Sequence, residues 1–207
     1  MNRFSHRMTG RYRLLVVAAF VFWPLSAMTV GTSPNEVIEE AVELLSQQLD
    51  GRKEELSADK DALYAMINDI LLPRFDKEYA ARLVLGKHSR KASDEQRHRF
   101  TEAFYNTLLK RYSDGLLEFS ADLVEVLPYR DDVAKKTTTV KTIVRLEDNT
   151  KVPVNYVLIN REAGWLMIDV KIEGVSYIKN FRTEVDSDIR SSSLSAVIDR
   201  LEKEAGM

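Results

Sequence analysis

Apolar residues recur every three or four positions along the first half of the chain, which indicates a series of amphipathic helices. The motif Ser-Pro-Asn-Glu at residues 33–36 is a capping box with proline at the first helical position, and Gly51 ends the helix that follows. A second helix is predicted to start at Ser57. It stops near Pro73, because the residue before a proline is disfavoured in a helix.

Two further helices are predicted within the stretch from Leu71 to Tyr112, joined by a short basic loop. Asp76 caps the first and Gly86 ends it, while Ser-Asp-Glu-Gln at residues 93–96 opens the second. Gly115 weakens this second helix without ending it. The pair carries more apolar positions than a thin helix pair needs, so we predict that it forms the lid of an apolar cavity.

Near Asp122 the spacing of apolar residues changes from every three or four positions to every second position, which predicts strands. The four candidates are Leu123 to Arg130, Thr137 to Leu146, Lys151 to Arg161 and Gly164 to Glu173. Asp148-Asn149 favours a two-residue hairpin loop and residues 160–164 a slightly longer one, so the strands form an antiparallel meander. After Gly174 the pattern returns to helices, the last of which begins at about Ser193.

The two central strands are apolar on both faces. In the third strand, one face carries Val154, Tyr156 and Leu158, and the other carries Val157 and Ile159. In the fourth strand, the predicted inward set is Ile168, Val170 and Ile172, and the predicted outward set is Trp165 and Met167. A single β-bulge would invert this assignment.

The order of helices, strands and then helices indicates an α+β fold in which helices cover a curved antiparallel sheet of about four strands. Most apolar stripes pack into an ordinary core. The surplus on both the helices and the sheet predicts an apolar cavity between the two layers.

The first 27 residues have the order of a secretory signal peptide. Four arginines precede the unbroken apolar run Leu14 to Trp23, and Pro24 is followed by small residues. The alternative is a transmembrane anchor, but a spanning helix needs about 20 apolar residues. We predict a cleaved signal peptide at residues 1–27, with Gly31 as an alternative cleavage position, and one domain over residues 28–207.

Composition narrows the function of residues 28–207. They hold 26 basic and 32 acidic side chains, a net charge of −6, which argues against nucleic acid and anionic membranes as partners. The chain has no cysteine, so disulfides, thiol catalysis and thiolate metal sites are excluded. The pattern fits a soluble, diffusing protein.

Candidate chemistry is sparse. His88 and His98 lie in a basic, polar stretch without spaced carboxylates, so we interpret them as solvated side chains rather than metal ligands. Asp169 supports an enzyme hypothesis, since an acid pointing into an apolar cavity can move protons. The simpler interpretation is that Asp169 points outward and bonds to a neighbour. The basic side chains around the loop indicate a solvated face, or alternatively a contact with lipid head groups or an acidic partner; they are Arg82, Lys87, Arg90, Lys91, Arg97 and Arg99.

An ordered set of short motifs resembles the MlaC family, the periplasmic phospholipid-binding components of the Mla lipid-transport system, also called toluene-tolerance proteins. The resemblance covers about residues 34–204. The motifs are Leu-Leu-Pro-Arg-Phe-Asp at 71–76, Tyr-Ala-Ala-Arg-Leu-Val-Leu-Gly-Lys-His at 79–88, Ala-Ser-Asp-Glu-Gln-Arg at 92–97, Phe100 to Phe104, Trp165 with Asp169, and Glu-Gly-Val-Ser at 173–176.

The resemblance implies an NTF2-like sheet with the acyl chains of a phospholipid held between sheet and helices. It also implies a periplasmic, non-enzymatic carrier, a monomer without a cofactor. This carrier moves lipid between an outer-membrane lipoprotein–porin complex and an inner-membrane ABC transporter, and so maintains outer-membrane lipid asymmetry. The residues predicted to contact the acyl chains are Leu71, Tyr79, Leu83, Phe104, Leu108, Val154, Tyr156, Leu158, Ile168 and Val170. Two other classes stay open: an NTF2-like enzyme that uses Asp169, and a chaperone that binds apolar peptides.

Overall fold

The computed structural model describes residues 33–118, 123–129, 135–146 and 148–207, and within them seven α-helices and one five-stranded sheet. The helices are α1 (Pro34–Leu49), α2 (Lys53–Ala58), α3 (Lys60–Leu71), α4 (Lys77–Leu85), α5 (Asp94–Leu117), α6 (Tyr177–Ser191) and α7 (Leu194–Ala205). The strands are β1 (Val124–Val126), β2 (Thr137–Arg145), β3 (Lys151–Arg161), β4 (Gly164–Ile172) and β5 (Val175–Ser176). The predicted signal peptide lies outside the described residues.

Most helix starts are where the capping motifs predict them. Ser33 and Glu36 form a reciprocal capping box at α1, and Ser93 and Gln96 form another at α5. The Asp76 carboxylate accepts a hydrogen bond from the Tyr79 backbone N–H, 2.9 Å away, at the start of α4. These side chains satisfy N–H groups that have no partner within their own helix.

The predicted start at Ser57 is wrong. Ser57 lies inside the short helix α2, and α3 begins three residues later, at Lys60. Asp59 is the cap of α3 and accepts a hydrogen bond from the Ala62 N–H at 3.0 Å. The chain makes a separate helix here because Leu56, which is fully buried, packs α2 against α3. Gly115 lies inside α5, which continues to Leu117 as predicted.

The sheet is the predicted antiparallel meander, with the order β1-β2-β3-β4-β5. The loop between β2 and β3 is longer than the predicted two residues, because Leu146 N donates to Thr150 O and the left-handed Asn149 (φ 65°) adds a residue. The short strand β5 was not predicted. It follows a tight turn in which Glu173 and Gly174 both have positive φ, 51° and 82°.

A β-bulge in β4 decides which side chains face the helices. Opposite the adjacent pair Val157 and Leu158 of β3, β4 places Asp169 and Met167, so that Ile168 is an extra residue. Because side chains alternate along a strand, the extra residue reverses the facing of everything before it.

The predicted facing of β4 is therefore wrong in part. Trp165 and Met167 lie on the same face as Val170 and Ile172 rather than opposite to them. We call this face the inner face, and α1 packs against part of it. Its members are Val126, Val140, Thr142, Val144, Val152, Val154, Tyr156, Leu158, Trp165, Met167, Val170 and Ile172. The outer face carries exposed polar residues, among them Thr137, Lys141, Arg145 and Lys151.

Buried apolar side chains form three clusters instead of one contiguous core. The sheet cluster joins α1 to the inner face and consists of Val37, Ile38, Val140, Leu158, Trp165 and Met167. The α1–α3 cluster consists of Leu45, Leu49, Leu56, Leu63, Met66, Ile67 and Ile70. The four-helix cluster lies among α4, α5, α6 and α7 and includes Phe100, Phe104, Phe181, Val185, Ile198 and Leu201.

The helix pair predicted as a lid has a different role. The apolar faces of α4 and α5 pack mainly on α6 and α7, and the residues that cover the inner face of the sheet are Val37 and Ile38 of α1. A helical stripe of apolar residues shows which face is buried but not which element buries it, so the partner was assigned wrongly.

Replacing a side chain in the sheet cluster tests this account of the core. Leu158 has no exposed surface, and we expect Leu158→Ala to lower the free energy of unfolding by about 2–5 kcal/mol through lost contacts and a residual cavity. The matched control is Leu146→Ala, whose side chain is 45% exposed and which should change stability by less than about 0.5 kcal/mol. Urea unfolding measures both. Equal losses would contradict the assignment.

Candidate functional site

Two half-buried side chains link the three clusters. Leu71 packs against both the α1–α3 cluster and the sheet cluster, and Phe75 packs against both the four-helix cluster and the sheet cluster. The buried side chains themselves do not merge into one core. The seam where the clusters meet is therefore lined by apolar side chains.

The backbone around Phe75 is fixed to the edge of the sheet. Phe75 forms a parallel bridge with Met167, and Asp76 N donates to Met167 O at 2.9 Å. The Asp76 carboxylate, 11% exposed, accepts bonds from Arg161 Nε at 2.7 Å and Arg161 Nη2 at 2.6 Å. Both nitrogens donate to the same oxygen, Oδ2, and these charge-assisted bonds fix the start of α4 against the end of β3.

The Phe75 ring faces a desolvated environment. The centroid of the Tyr105 ring lies 6.0 Å from that of Phe75, and the Tyr105 hydroxyl donates to Asn68 Oδ1 at 3.0 Å. Burial, with a smaller contribution from Glu102, raises the pKa of Tyr105 to about 12. The aromatic pair is thus an apolar wall whose polar group is already bonded.

The centre of the inner face is also dry. Tyr156 is half-buried as a whole, but its hydroxyl lies deep enough that burial raises the pKa of the phenol. The buried Thr142 hydroxyl donates to Val154 O at 2.7 Å. With its polar atoms bonded internally, this face offers a ligand mostly apolar surface.

Exposure changes along the inner face. Leu158 and Met167, beneath α1, are 0% and 6% exposed. Val144, Val170 and Ile172, toward the other end, are half-buried. The apolar face is therefore more exposed at this end, and we call its half-buried apolar surface the slot.

Comparison with known proteins gives the family of this chain. The model of the MlaC protein family matches residues 39–203. The chain belongs to the MlaC family. This confirms the resemblance carried by the sequence motifs.

Two relatives show how far the similarity extends. The toluene tolerance protein ttg2D of Pseudomonas putida is 30% identical over 172 residues, which is 83% of this chain and 78% of that protein. The intermembrane phospholipid transport system binding protein MlaC of Haemophilus influenzae is 20% identical over 178 residues, 84% of this chain and 83% of the relative. The similarity thus spans most of all three proteins.

A solved structure has the same fold. The phospholipid-binding protein of Ralstonia solanacearum, determined in complex with a phospholipid, superposes with a TM-score of 0.72 at 17% sequence identity, over 82% of this chain and 94% of that one. The α+β prediction is confirmed. No helix in the described part of this MlaC-family chain is long and apolar enough to span a bilayer.

Five of the predicted acyl-chain contacts are close to the slot. Val154, Tyr156, Leu158 and Val170 share the inner face, and Leu71 packs against the sheet cluster. Ile168 is the extra residue of the bulge and is 5% exposed.

The other four predicted contacts lie in or beside the four-helix layer. Phe104, fully buried, belongs to the four-helix cluster, and Leu83 and Leu108 pack against that cluster. Tyr79 lies between two guanidinium groups, with Arg82 Cζ 4.8 Å and Arg161 Cζ 5.0 Å from its ring centroid. The structure does not bring these side chains together with the inner face.

Sequence reasoning missed Phe75, Trp165 and Met167 as residues near the slot. The two strand residues were missed because the bulge at Ile168 reversed their facing. Phe75 directly follows a short 3₁₀ turn, Leu72–Arg74, and has no helical or alternating pattern around it. The proline in that turn was the available signal, since it disfavours the helical conformation of the residue before it and so indicates the end of the preceding helix.

The enzyme hypothesis for Asp169 rested on a carboxylate that points into the apolar slot, and this placement is wrong. Asp169 pairs with Val157 on the face opposite to Tyr156. Its oxygens accept bonds from the Ser176 hydroxyl at 2.6 Å and from the Ile178 N–H at 3.1 Å, at the start of α6. The simpler interpretation fits, because the carboxylate completes the capping of a helix.

The two histidines differ from the prediction that both are solvated. His98 is exposed, but His88 is half-buried, with its Nε2 2.7 Å from Asp186 Oδ1. Lys87 Nζ lies 2.8 Å from the same carboxylate. Hydrogen bonds from Lys87 and His88 lower the pKa of Asp186 to about 2. Among the described residues, no group of three side chains could hold a metal ion.

The lowered pKa of Asp186 gives a testable pH dependence. A carboxyl group with a lower pKa in the folded state stabilises fully above its ordinary pKa of 3.8, and that stabilisation is lost as the pH falls through about 2. We expect Asp186→Asn to unfold at a lower urea concentration than the wild type at pH 7, with the gap closing toward pH 2. Glu162→Gln, in an exposed turn, is the control and should show no such gap. A gap that widens in acid would contradict the assignment.

Proposed function

We propose that this chain is a periplasmic phospholipid carrier. A signal peptide at residues 1–27 directs its export and is then cleaved, and residues 28–207 fold as one domain. It would carry lipid between an outer-membrane lipoprotein–porin complex and an inner-membrane ABC transporter. The proposal is supported by the family membership, by one relative whose name refers to phospholipid transport, and by a related fold solved with a phospholipid.

The observation that carries the proposal is the half-open inner face. A sheet face meant only for packing would be covered along its whole length. Here Val170 and Ile172 stay half-buried, while Leu71 and Phe75 form a seam between separate clusters. These are the surfaces that we propose contact the acyl chains, with Val154 and Tyr156 between them.

The remaining predicted contacts receive a supporting role in this proposal. Phe104, Leu83 and Leu108 hold the four-helix layer together, and Leu158 anchors α1 on the sheet. Tyr79 supports the segment next to Phe75, and Ile168 supports the strand next to Met167. The slot is then bounded by side chains whose positions are set by packing behind them.

Physical chemistry favours a carrier without catalytic groups. Burying a methylene is worth about 0.8 kcal/mol, so exposing a 16-carbon acyl chain to water costs on the order of 12 kcal/mol. A dry apolar slot removes this cost. Transfer to a partner requires another apolar slot, not the making or breaking of a covalent bond. The phospholipid is then cargo, neither substrate nor cofactor.

The first experiment looks for the cargo. Residues 28–207, purified without detergent after export to the periplasm, should release phospholipid in a stoichiometric amount on extraction with organic solvent, measured by mass spectrometry and phosphorus content. A preparation that contains no phospholipid, even after incubation with phospholipid vesicles, would contradict the proposal. Co-purifying apolar peptides without phospholipid would support the chaperone alternative instead.

The second experiment tests the face of the sheet. Val170 lies opposite Tyr156 on the inner face, whereas Val157 lies opposite Asp169 on the outer face, and both valines are half-buried. A lysine at position 170 would put a charge into the slot, so we expect Val170→Lys to lose more than half of the bound phospholipid.

Val157→Lys is the matched control, because it makes the same change on neighbouring strands beside an acidic partner. It should keep full occupancy. Full occupancy in Val170→Lys, or equal loss in both variants, would show that the inner face does not hold the cargo. Leu158 is unsuitable for this test, since a charge there would disrupt the sheet cluster.

A further inference from the structure

A basic groove runs along α6 on the outside of the helical layer. It has a volume of about 290 Å³ and lies between the 3₁₀ turn Gly86–Arg90 and α6. Its lining residues are Leu85, Lys87, Lys179, Arg182, Thr183, Asp186 and Arg190. Four of the seven are cations and one is an acid. None of them belongs to the inner face of the sheet.

The sequence of α6 separates three faces. Ile178, Phe181 and Val185 are buried in the four-helix cluster. Glu184 and Asp188 form ion pairs with Arg200 of α7. The groove-lining positions recur at helical spacing, so the cations form a stripe along one side of the helix.

Arg182 is held in the groove by a close packing contact. Gly86 has a φ of +53°, and a Cβ added to it would lie only 2.9 Å from Arg182 Nε. The guanidinium therefore lies against the glycine backbone, in space that any other residue would occupy. Among the described residues Arg182 and Lys179 form no ion pair.

The one acid of the groove is already shared. Asp186 lies 2.8 Å from Lys87 Nζ, 2.7 Å from His88 Nε2 and 3.1 Å from Arg190 Nη1. Its single negative charge cannot balance these groups as well as Lys179 and Arg182. The groove therefore has an excess of positive charge.

The groove differs in this respect from the surfaces of α5 and α7. Arginines on α5 and α7 are matched by acids, as Arg99 is by Asp199 and Glu202. The exposed Arg90 and Lys91 continue the basic surface next to the groove. A local positive region on a chain with a net negative charge steers acidic partners to one place.

We propose that the α6 groove is a docking site for an acidic segment of a protein partner. The occupant is a peptide or surface loop with several carboxylates, because the cations are spread over two elements and extend beyond the groove. A flat anionic bilayer would meet a recessed surface on a molecule whose other acidic faces it repels. The inference does not depend on lipid carriage, since it uses none of the slot residues.

A labelled peptide of ten glutamates, with a peptide of ten glutamines as reference, tests the groove in fluorescence anisotropy. At low salt we expect saturable one-to-one binding of the acidic peptide only, weakened by added salt. Lys179→Gln/Arg182→Gln should weaken binding roughly tenfold, since both unpaired cations are removed.

The matched control is Lys53→Gln/Arg145→Gln, which removes one exposed lysine and one exposed arginine elsewhere. It should change the affinity less than twofold. Equal weakening in both variants would overturn the proposal in favour of general charge attraction. Binding of phosphatidylglycerol vesicles or inorganic phosphate, but not of the peptide, would also overturn it. Phospholipid content is measured for every variant, so that failure of lipid carriage is recorded separately.

Discussion

The clamp between Asp76 and the sheet is the interaction on which the arrangement of the two layers depends. Asp76 donates its N–H to Met167 O, caps α4 through Oδ1 and accepts two bonds from Arg161 through Oδ2. It joins a helix start, a strand edge and a strand end at a site that is 11% exposed. Together with the bonds that Asp169 of β4 accepts from the start of α6, it fixes the four-helix layer beside β4. Because the clamp lies at the edge, the inner face of the sheet does not have to be filled to hold the layers in place.

Local signals in the sequence were sufficient for most elements. Ser33, Ser93 and Asp76 cap the helices that they were predicted to cap, because a cap is decided by residues within one turn. Three of the four predicted strands were also placed well, but the first was predicted to reach Arg130 and ends at Val126. The facing of β4 was not predicted correctly, since the bulge at Ile168 depends on how β3 and β4 align and leaves no mark in the alternation. The candidate site was predicted in part for the same reason: the β3 residues were placed correctly, but Met167 was not.

The sequence also did not show which elements pack against each other. The stripes of α4 and α5 were recognised as apolar, but they pack on α6 and α7, whereas α1 covers the sheet. An apolar stripe indicates which face of a helix is buried, but it does not indicate which element covers that face. The sequence likewise does not show which charged residues form ion pairs with each other. The basic run near the loop was visible in the sequence, but only the fold shows that Asp186 is shared among Lys87, His88 and Arg190 while Arg182 on α6 stays unmatched.

The division of the core into three clusters affects how the protein can move. Cooperative opening tends to follow the boundaries of well-packed units, and the least stable boundary is the one with the fewest buried contacts. The α1–α3 cluster is continuous with α5 through Leu109, Leu116 and Leu117, whereas the sheet cluster meets the other two clusters through the half-buried Leu71 and Phe75. We therefore expect opening to follow the boundary between the sheet cluster and the helices, at the short 3₁₀ turn Leu72–Arg74 that separates these two side chains.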